Sequence, residues 1–183
     1  MIFIPLPLQG AYIVEPDVHQ DERGSFFRFY CADEFREIGH NQPWMQLNHS
    51  FTRAKGTLRG MHYQFPPHAE IKLVKCISGK ALDVIIDLRN KSSSFLQWTS
   101  VEISADNKRM IYIPEGFAHG FQALTDNCEL IYHHSTAYKK DAERGIRWDD
   151  PKINIQWPLI PIHVSERDQN HPLVTADFSG INI

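Results

Sequence analysis

The densest run of chemically capable side chains is Lys55-Gly56-Thr57-Leu58-Arg59-Gly60-Met61-His62-Tyr63-Gln64, followed by His68, Glu70 and Lys72. It offers an imidazole, a guanidinium fork and an ammonium, with two glycines that let backbones approach closely. At strand period Lys72 shares a face with Glu70 and Val74. If that face lines an interior, a base and two cations converge, and the cluster suits an anion because its charges repel further cations. Taken alone, His62 is a packed histidine. Arg59 fits a bidentate phosphate clamp or a surface salt bridge. Lys72 is as readily a solvated rim charge.

A second cluster, Ile113-Pro114-Glu115-Gly116-Phe117-Ala118-His119-Gly120-Phe121, carries a Pro-x-Gly turn followed by His119. It resembles the second motif of cupin barrels, where such a histidine binds metal. The first cupin motif is mis-spaced here, as His62-x5-His68-x-Glu70. A metal set of His62, Glu70 and His119 is the alternative, which would make the chain a metal-dependent isomerase or oxygenase.

Much familiar chemistry is missing. No Gly-x-Gly pair occurs, so there is neither a dinucleotide fingerprint nor a Walker-type phosphate loop. A Gly-x-Ser-x-Gly elbow and a His-Glu-x-x-His helix are also lacking. Acid–base work by this chain needs a substrate that is already activated, for example by a ketone.

The elements that must hold these groups read as strands. Leu82, Val84, Ile86 and Leu88 alternate with Asp83 and Asp87 after the turn at Ser78-Gly79-Lys80. Further strands are expected over Ile71–Ile77, Trp98–Ile103, Met110–Ile113, Phe121–Leu124 and Glu129–His134. Asp33 is expected to cap a short helix holding Phe35 and Ile38 and ended by Gly39. The proline-rich tail from Pro151 to Pro172 is expected to wrap the barrel with a short Ile153–Trp157 strand, and Ser165-Glu166-Arg167-Asp168 reads as a turn. The fold class is all-β with small helical decorations.

The 183 residues carry 42% hydrophobic and 22% charged side chains, ordinary for one globular domain over 1–183. A net charge of -3 gives no support to a nucleic-acid partner. Cys31, Cys76 and Cys128 form no Cys-x-x-Cys pair and fit a reducing, cytoplasmic setting. No run has the length of a membrane span, and Pro5 and Pro7 interrupt the apolar start.

Taken together, several segments resemble the dTDP-4-dehydrorhamnose 3,5-epimerase family. They are Asp21-Glu22-Arg23-Gly24-Ser25-Phe26, Gln46-Leu47-Asn48, Lys55 to Gln64, Lys72-Leu73-Val74, Asp83 through Arg89, Pro114 to Phe121, Trp148-Asp149-Asp150-Pro151 and Ser165 to Asp168. The match runs in order from about Pro16 to Leu173. The resemblance implies a cupin-like jelly-roll β-barrel, a nucleoside-diphosphate 4-keto-6-deoxysugar as substrate, no cofactor and no metal. It also implies a homodimer that exchanges N-terminal strands, with Ile2–Ile4 and Tyr12–Val14 as the candidates.

The resemblance implies roles residue by residue. His62 is the general base, paired with Asp168, and Lys72 lies near the keto oxygen. Tyr132 is the acid that reprotonates the carbon from the opposite face, since return of the proton from His62 would restore the starting stereochemistry. Arg23 and Arg59 match phosphate-binding positions, and His119 a contact near the sugar. Gln46 and Asn48 match a polar pair, Tyr138 the aromatic under the nucleotide base, and Glu143 and Arg167 further substrate-side positions. Without the family, Tyr132 is an aromatic on a strand, and Tyr138 and Glu143 are exposed loop residues. Two departures stand out. Arg28 replaces an acidic residue, which leaves the nucleotide base open (thymidine, GDP- or CDP-linked) along with single or double inversion. The Ser50–Ala54 stretch is one residue longer than usual.

Overall fold

A computed structural model describes residues 1–183. Runs of β-branched and aromatic residues between polar turns become strands along most of the chain. In order these are β1 (Ile2–Pro5), β2 (Tyr12–Glu15), β3 (Val18–Asp21), β4 (Gly24–Phe27), β5 (Gln46–Thr52), β6 (Leu58–Gln64), β7 (Lys72–Ser78), β8 (Lys80–Asp87), β9 (Trp98–Ser104), β10 (Met110–Ile113), β11 (Phe117–Ala123), β12 (Cys128–His134) and β13 (Glu143–Gly145). Two four-residue helices, α1 (Ala32–Phe35) and α2 (Glu166–Gln169), are the helical decoration. No helix is long and apolar enough to cross a membrane.

The strands form a six-stranded sheet, ordered β1-β2-β10-β7-β12-β5, and a five-stranded sheet, ordered β13-β6-β11-β8-β9. The β3–β4 hairpin stands apart. The two large sheets pack face to face over a core that includes Val74, Cys76, Ile111 and Leu130 from one and Ile85, Val101, Ile103 and Phe121 from the other. This is the all-β, jelly-roll-type architecture expected from the sequence.

Each sheet is also covered on its outer face. The tail wraps the five-stranded sheet, setting Ile146, Ile153, Ile155 and Ile181 against Met61, Val84 and Ile86. On the six-stranded sheet, Phe35 of α1 packs with Leu73, Met110 and Tyr112. Full burial of such a phenylalanine is worth roughly 2–3 kcal/mol. Central strands therefore bury both faces, and Lys72 to Cys76 are all buried rather than alternating.

Four local expectations are corrected. Cys31, not Asp33, occupies the N-cap of α1, with no side-chain cap; Asp33 lies in the first turn, where its charge complements the helix dipole. Gly39 does end the segment, at φ 82°, after a 3-10 turn over Arg36–Ile38. Ile153–Trp157 forms no strand: its isoleucines bury against a sheet face without joining a ladder. The Ser165–Asp168 turn is the start of α2, because Ser165 Oγ accepts from the Asp168 N–H at 3.1 Å. Finally, β11 begins at Phe117, four residues before the expected start, and so carries His119 within a strand.

Candidate active site

A cleft of about 1190 Å³ opens between the two sheets. Of the residues singled out in the sequence, Gln46, Asn48, Arg59, His62, Lys72, His119, Tyr132, Tyr138, Glu143, Arg167 and Asp168 line it. Arg23 does not. It sits on the exposed β3–β4 hairpin with its side chain 86% accessible and paired to Asp21 at 2.6 Å. Arg28 likewise lies outside the cleft, bound to Glu34 at 2.7 Å.

The five-stranded sheet supplies one wall. His62 on β6 faces His119 on β11 and Gly145 on β13 in the ladders. A Cβ on Gly60 would fall 2.5 Å from Gly120 Cα, so only glycine permits this close approach of β6 to β11. The approach also turns the Gly60 N–H toward Asp168 Oδ2, at 3.1 Å. His62 Nε2 lies 2.8 Å from Asp168 Oδ1, which leaves Nδ1 for a substrate. Burial would raise the Asp168 carboxyl, but the imidazole and the backbone donor outweigh burial and hold it well below the usual range. It is therefore a fixed negative charge behind the ring.

Arg167 closes this corner. Its guanidinium lies 3.0 Å from His62 Nε2 and 2.9 Å from Glu143 Oε1. Glu143 in turn accepts from the Tyr138 hydroxyl at 2.8 Å, so both expected loop residues are tied into the rim. Arg59 makes no ion pair and reaches only Thr52 Oγ1 and the Phe51 carbonyl, at 3.4 and 3.3 Å. Its charge is available to an anion.

The six-stranded sheet supplies the opposite wall. Tyr132 on β12 pairs with Asn48 on β5 and Val74 on β7. Its hydroxyl is 2.9 Å from Ser50 Oγ, and burial pushes the phenol far above its ordinary range, so it carries its proton at neutral pH. Its ring stacks on His134, centroids 6.2 Å apart, and meets His119 edge-on at 6.1 Å.

The sequence does not single out two groups around the cleft, His134 on the six-stranded sheet and Asp83 on the five-stranded one, and Glu70 plays a part other than the metal ligand expected. Glu70 bridges Lys72 Nζ at 3.1 Å and His134 Nδ1 at 2.7 Å, and His134 Nε2 is 3.3 Å from Asn48 Nδ2. Asp83, buried on β8, holds His119 Nε2 at 2.9 Å. Burial lifts the Asp83 carboxyl and lowers the His119 imidazole. Glu70 and His119 are thus committed to other partners, and the proposed His62, Glu70 and His119 metal set is not assembled. The one available signal was Asp83, a carboxylate at strand period on a buried apolar strand.

The Glu70 network has a measurable signature. Burial would raise this carboxyl, yet Lys72 and His134 hold it at about 2 against an ordinary 4.5. A depressed carboxyl contributes stability that is complete above pH 4.5 and is lost as pH falls toward 2. Glu70→Gln should therefore be less stable than wild type at pH 7. The gap in urea-unfolding free energy should narrow by about 2 kcal/mol on going to pH 3. A gap independent of pH would contradict the pairing.

Comparison with known proteins gives a consistent picture. The family model described as dTDP-4-dehydrorhamnose 3,5-epimerase matches residues 5–176. The chain is 43% identical over 180 residues to a dTDP-4-dehydrorhamnose 3,5-epimerase of Shigella flexneri, covering 97% of this chain and 99% of that one. A dTDP-6-deoxy-D-glucose-3,5-epimerase of Legionella pneumophila, solved with dTDP-4-keto-L-rhamnose, superposes with a TM-score of 0.92 at 34% identity, covering 100% and 98% of the two chains. A 3'-monoepimerase of Streptomyces bikiniensis, solved with dTDP-quinovose, gives 0.86 at 34% identity, covering 92% and 86%.

Proposed function

The chain belongs to the dTDP-4-dehydrorhamnose 3,5-epimerase family, and on that footing we propose that it converts dTDP-4-dehydro-6-deoxyglucose to dTDP-4-dehydrorhamnose by inverting C3 and C5. The C4 ketone acidifies the hydrogens on both neighbouring carbons, because loss of either leaves an enolate. His62, oriented by Asp168, takes the proton through Nδ1. The Lys72 ammonium stabilises the oxygen on which negative charge develops. Tyr132 then delivers its proton to the other face of the carbon.

The observation that carries this reading is the placement of base and acid on opposing sheets across one cleft. On the nucleotide side, Arg59 is the diphosphate clamp and Tyr138 the stacking surface. His119, Gln46, Asn48, Glu143 and Arg167 hold the remaining polar groups. The thymidine nucleotides in the related structures support that base over GDP- or CDP-linked sugars.

Heavy water tests the proposal. NMR of the dTDP-linked keto sugar should show deuterium entering at both C3 and C5, with the guanosine- and cytidine-linked analogues exchanging far more slowly. Uptake at one carbon alone would reduce the assignment to single inversion, and no uptake would remove it.

The position of Arg23 bears on assembly. A phosphate-binding arginine on an exposed hairpin, outside its own cleft, supports a homodimer in which the hairpin completes the partner's site. Large apolar side chains also stand exposed at Ile2 and Phe26, 63% and 75% accessible. Mixing Arg23→Ala chains with His62→Ala chains should then restore activity that neither has alone, since one cleft of each mixed dimer holds both residues. Absence of recovery after subunit exchange would count against the shared site.

A further inference from the structure

Three metal-binding side chains meet behind one wall of the cleft, and one of them has no part in the mechanism above. His171 lies just beyond α2, with its Nε2 3.7 Å from Asp168 Oδ1. That nitrogen is buried and has no hydrogen-bond partner. The His171 ring meets His62 edge-on, centroids 5.6 Å apart at 74°. The donor atoms of His62, Asp168 and His171 all lie within 4.8 Å of one another.

The seat of His171 leaves its donor free. A Cβ on Gly145 would fall 2.3, 2.4 and 2.4 Å from Nε2, Cδ2 and Cε1 of the His171 ring. Near-equal distances to three ring atoms place Gly145 under the face of the imidazole. The in-plane donor direction of Nε2 therefore points away from Gly145.

We propose that His62, Asp168 and His171 form an inhibitory site for a divalent transition ion of the zinc class, which silences the enzyme by occupying its base. Two imidazoles and one carboxylate are a zinc donor set, and a water would complete four-coordination. Ligand bonds of about 2.0–2.2 Å in tetrahedral geometry set donors roughly 3.2–3.6 Å apart. The 3.7 Å separation closes by about 0.1 Å and the 2.8 Å one opens by about half an ångström as the ion replaces the shared proton, while the two imidazole donors start within 4.8 Å of each other. Arg167 now lies 3.0 Å from His62 Nε2 and 3.3 Å from Asp168 Oδ1, so the ion takes the place of its half-exposed guanidinium, which also pairs with Glu143. With Nε2 on the ion, the proton of the neutral ring resides on Nδ1, so the nitrogen left for the sugar has no lone pair to offer. The ion blocks catalysis and has no part in it.

The inhibitory half of this proposal rests on His62 acting as the base, whereas binding does not, so the two are read separately. Cobalt(II) titrated into the wild-type protein should give one equivalent of four-coordinate visible absorption, and His171→Ala should abolish it. Zinc should inhibit deuterium exchange by the wild type. In His171→Ala the metal-free rate should stay within about twofold, while the zinc concentration for half-inhibition rises tenfold or more. His171→Asn, closer in size, serves if the alanine variant fails to fold. Equal zinc sensitivity in the variants, no cobalt signal in the wild type, or bound cobalt with unaltered exchange would each overturn the proposal. Failure of the metal-free wild type to exchange any keto sugar would instead sink the proposed function and leave the cobalt result standing.

Discussion

In a His62→Ala protein, deuterium uptake from heavy water into the 4-keto sugar nucleotide is expected to fall by roughly 10²–10⁴-fold, the usual contribution of a positioned acid–base group. The loss should appear at both C3 and C5, because His62 is the base at both carbons: its side chain is 24% accessible, against 7% and 11% for His119 and His134, the other imidazoles of the cleft backed by carboxylates. Substrate affinity should change little, since Arg59 and the rim around Tyr138 are untouched. The fall should therefore lie in kcat rather than KM. Undiminished uptake would remove His62 from its role and point to another base on that wall.

The second large effect separates proton removal from inversion. In Tyr132→Phe the base remains, so deuterium should still enter the starting sugar at a rate within a few-fold of wild type. Formation of the inverted product should fall by roughly 10²–10⁴-fold, because the enolate meets no donor on its far face. The ring is kept, so stacking on His134 and His119 survives and folding should be intact. Only the hydroxyl bond to Ser50 is lost. Equal loss of exchange and inversion would mean that the phenol assists the first step as well.

Parts of this account were legible in the sequence for definite physical reasons. β-Branched and aromatic runs between polar turns specify strands locally, and β10 falls over Met110–Ile113 as expected. The pair of glycines flagged as allowing close backbone approach does so at Gly60. The link between His62 and Asp168 spans 106 residues and was reachable only through family resemblance. Nothing local in Glu70 announces His134, 64 residues away, because cross-strand partners depend on register between strands that are not neighbours in sequence. The tail isoleucines misled in the opposite sense. Alternating apolar residues report burial on one side, and Ile153 and Ile155 satisfy that against a sheet face without backbone pairing. For α1, propensity placed the cap on Asp33, whereas packing of Phe35 into the outer core starts the helix earlier.

Everything turns on whether an imidazole and a phenol sit on opposite faces of one hexose. A crystal structure of the protein with a dTDP-linked hexose bound resolves this directly. The sugar ring is expected between His62 and Tyr132, with its C4 oxygen toward Lys72 and its diphosphate on Arg59. A sugar ring with both side chains on the same face, or seated beyond reach of either, would contradict it.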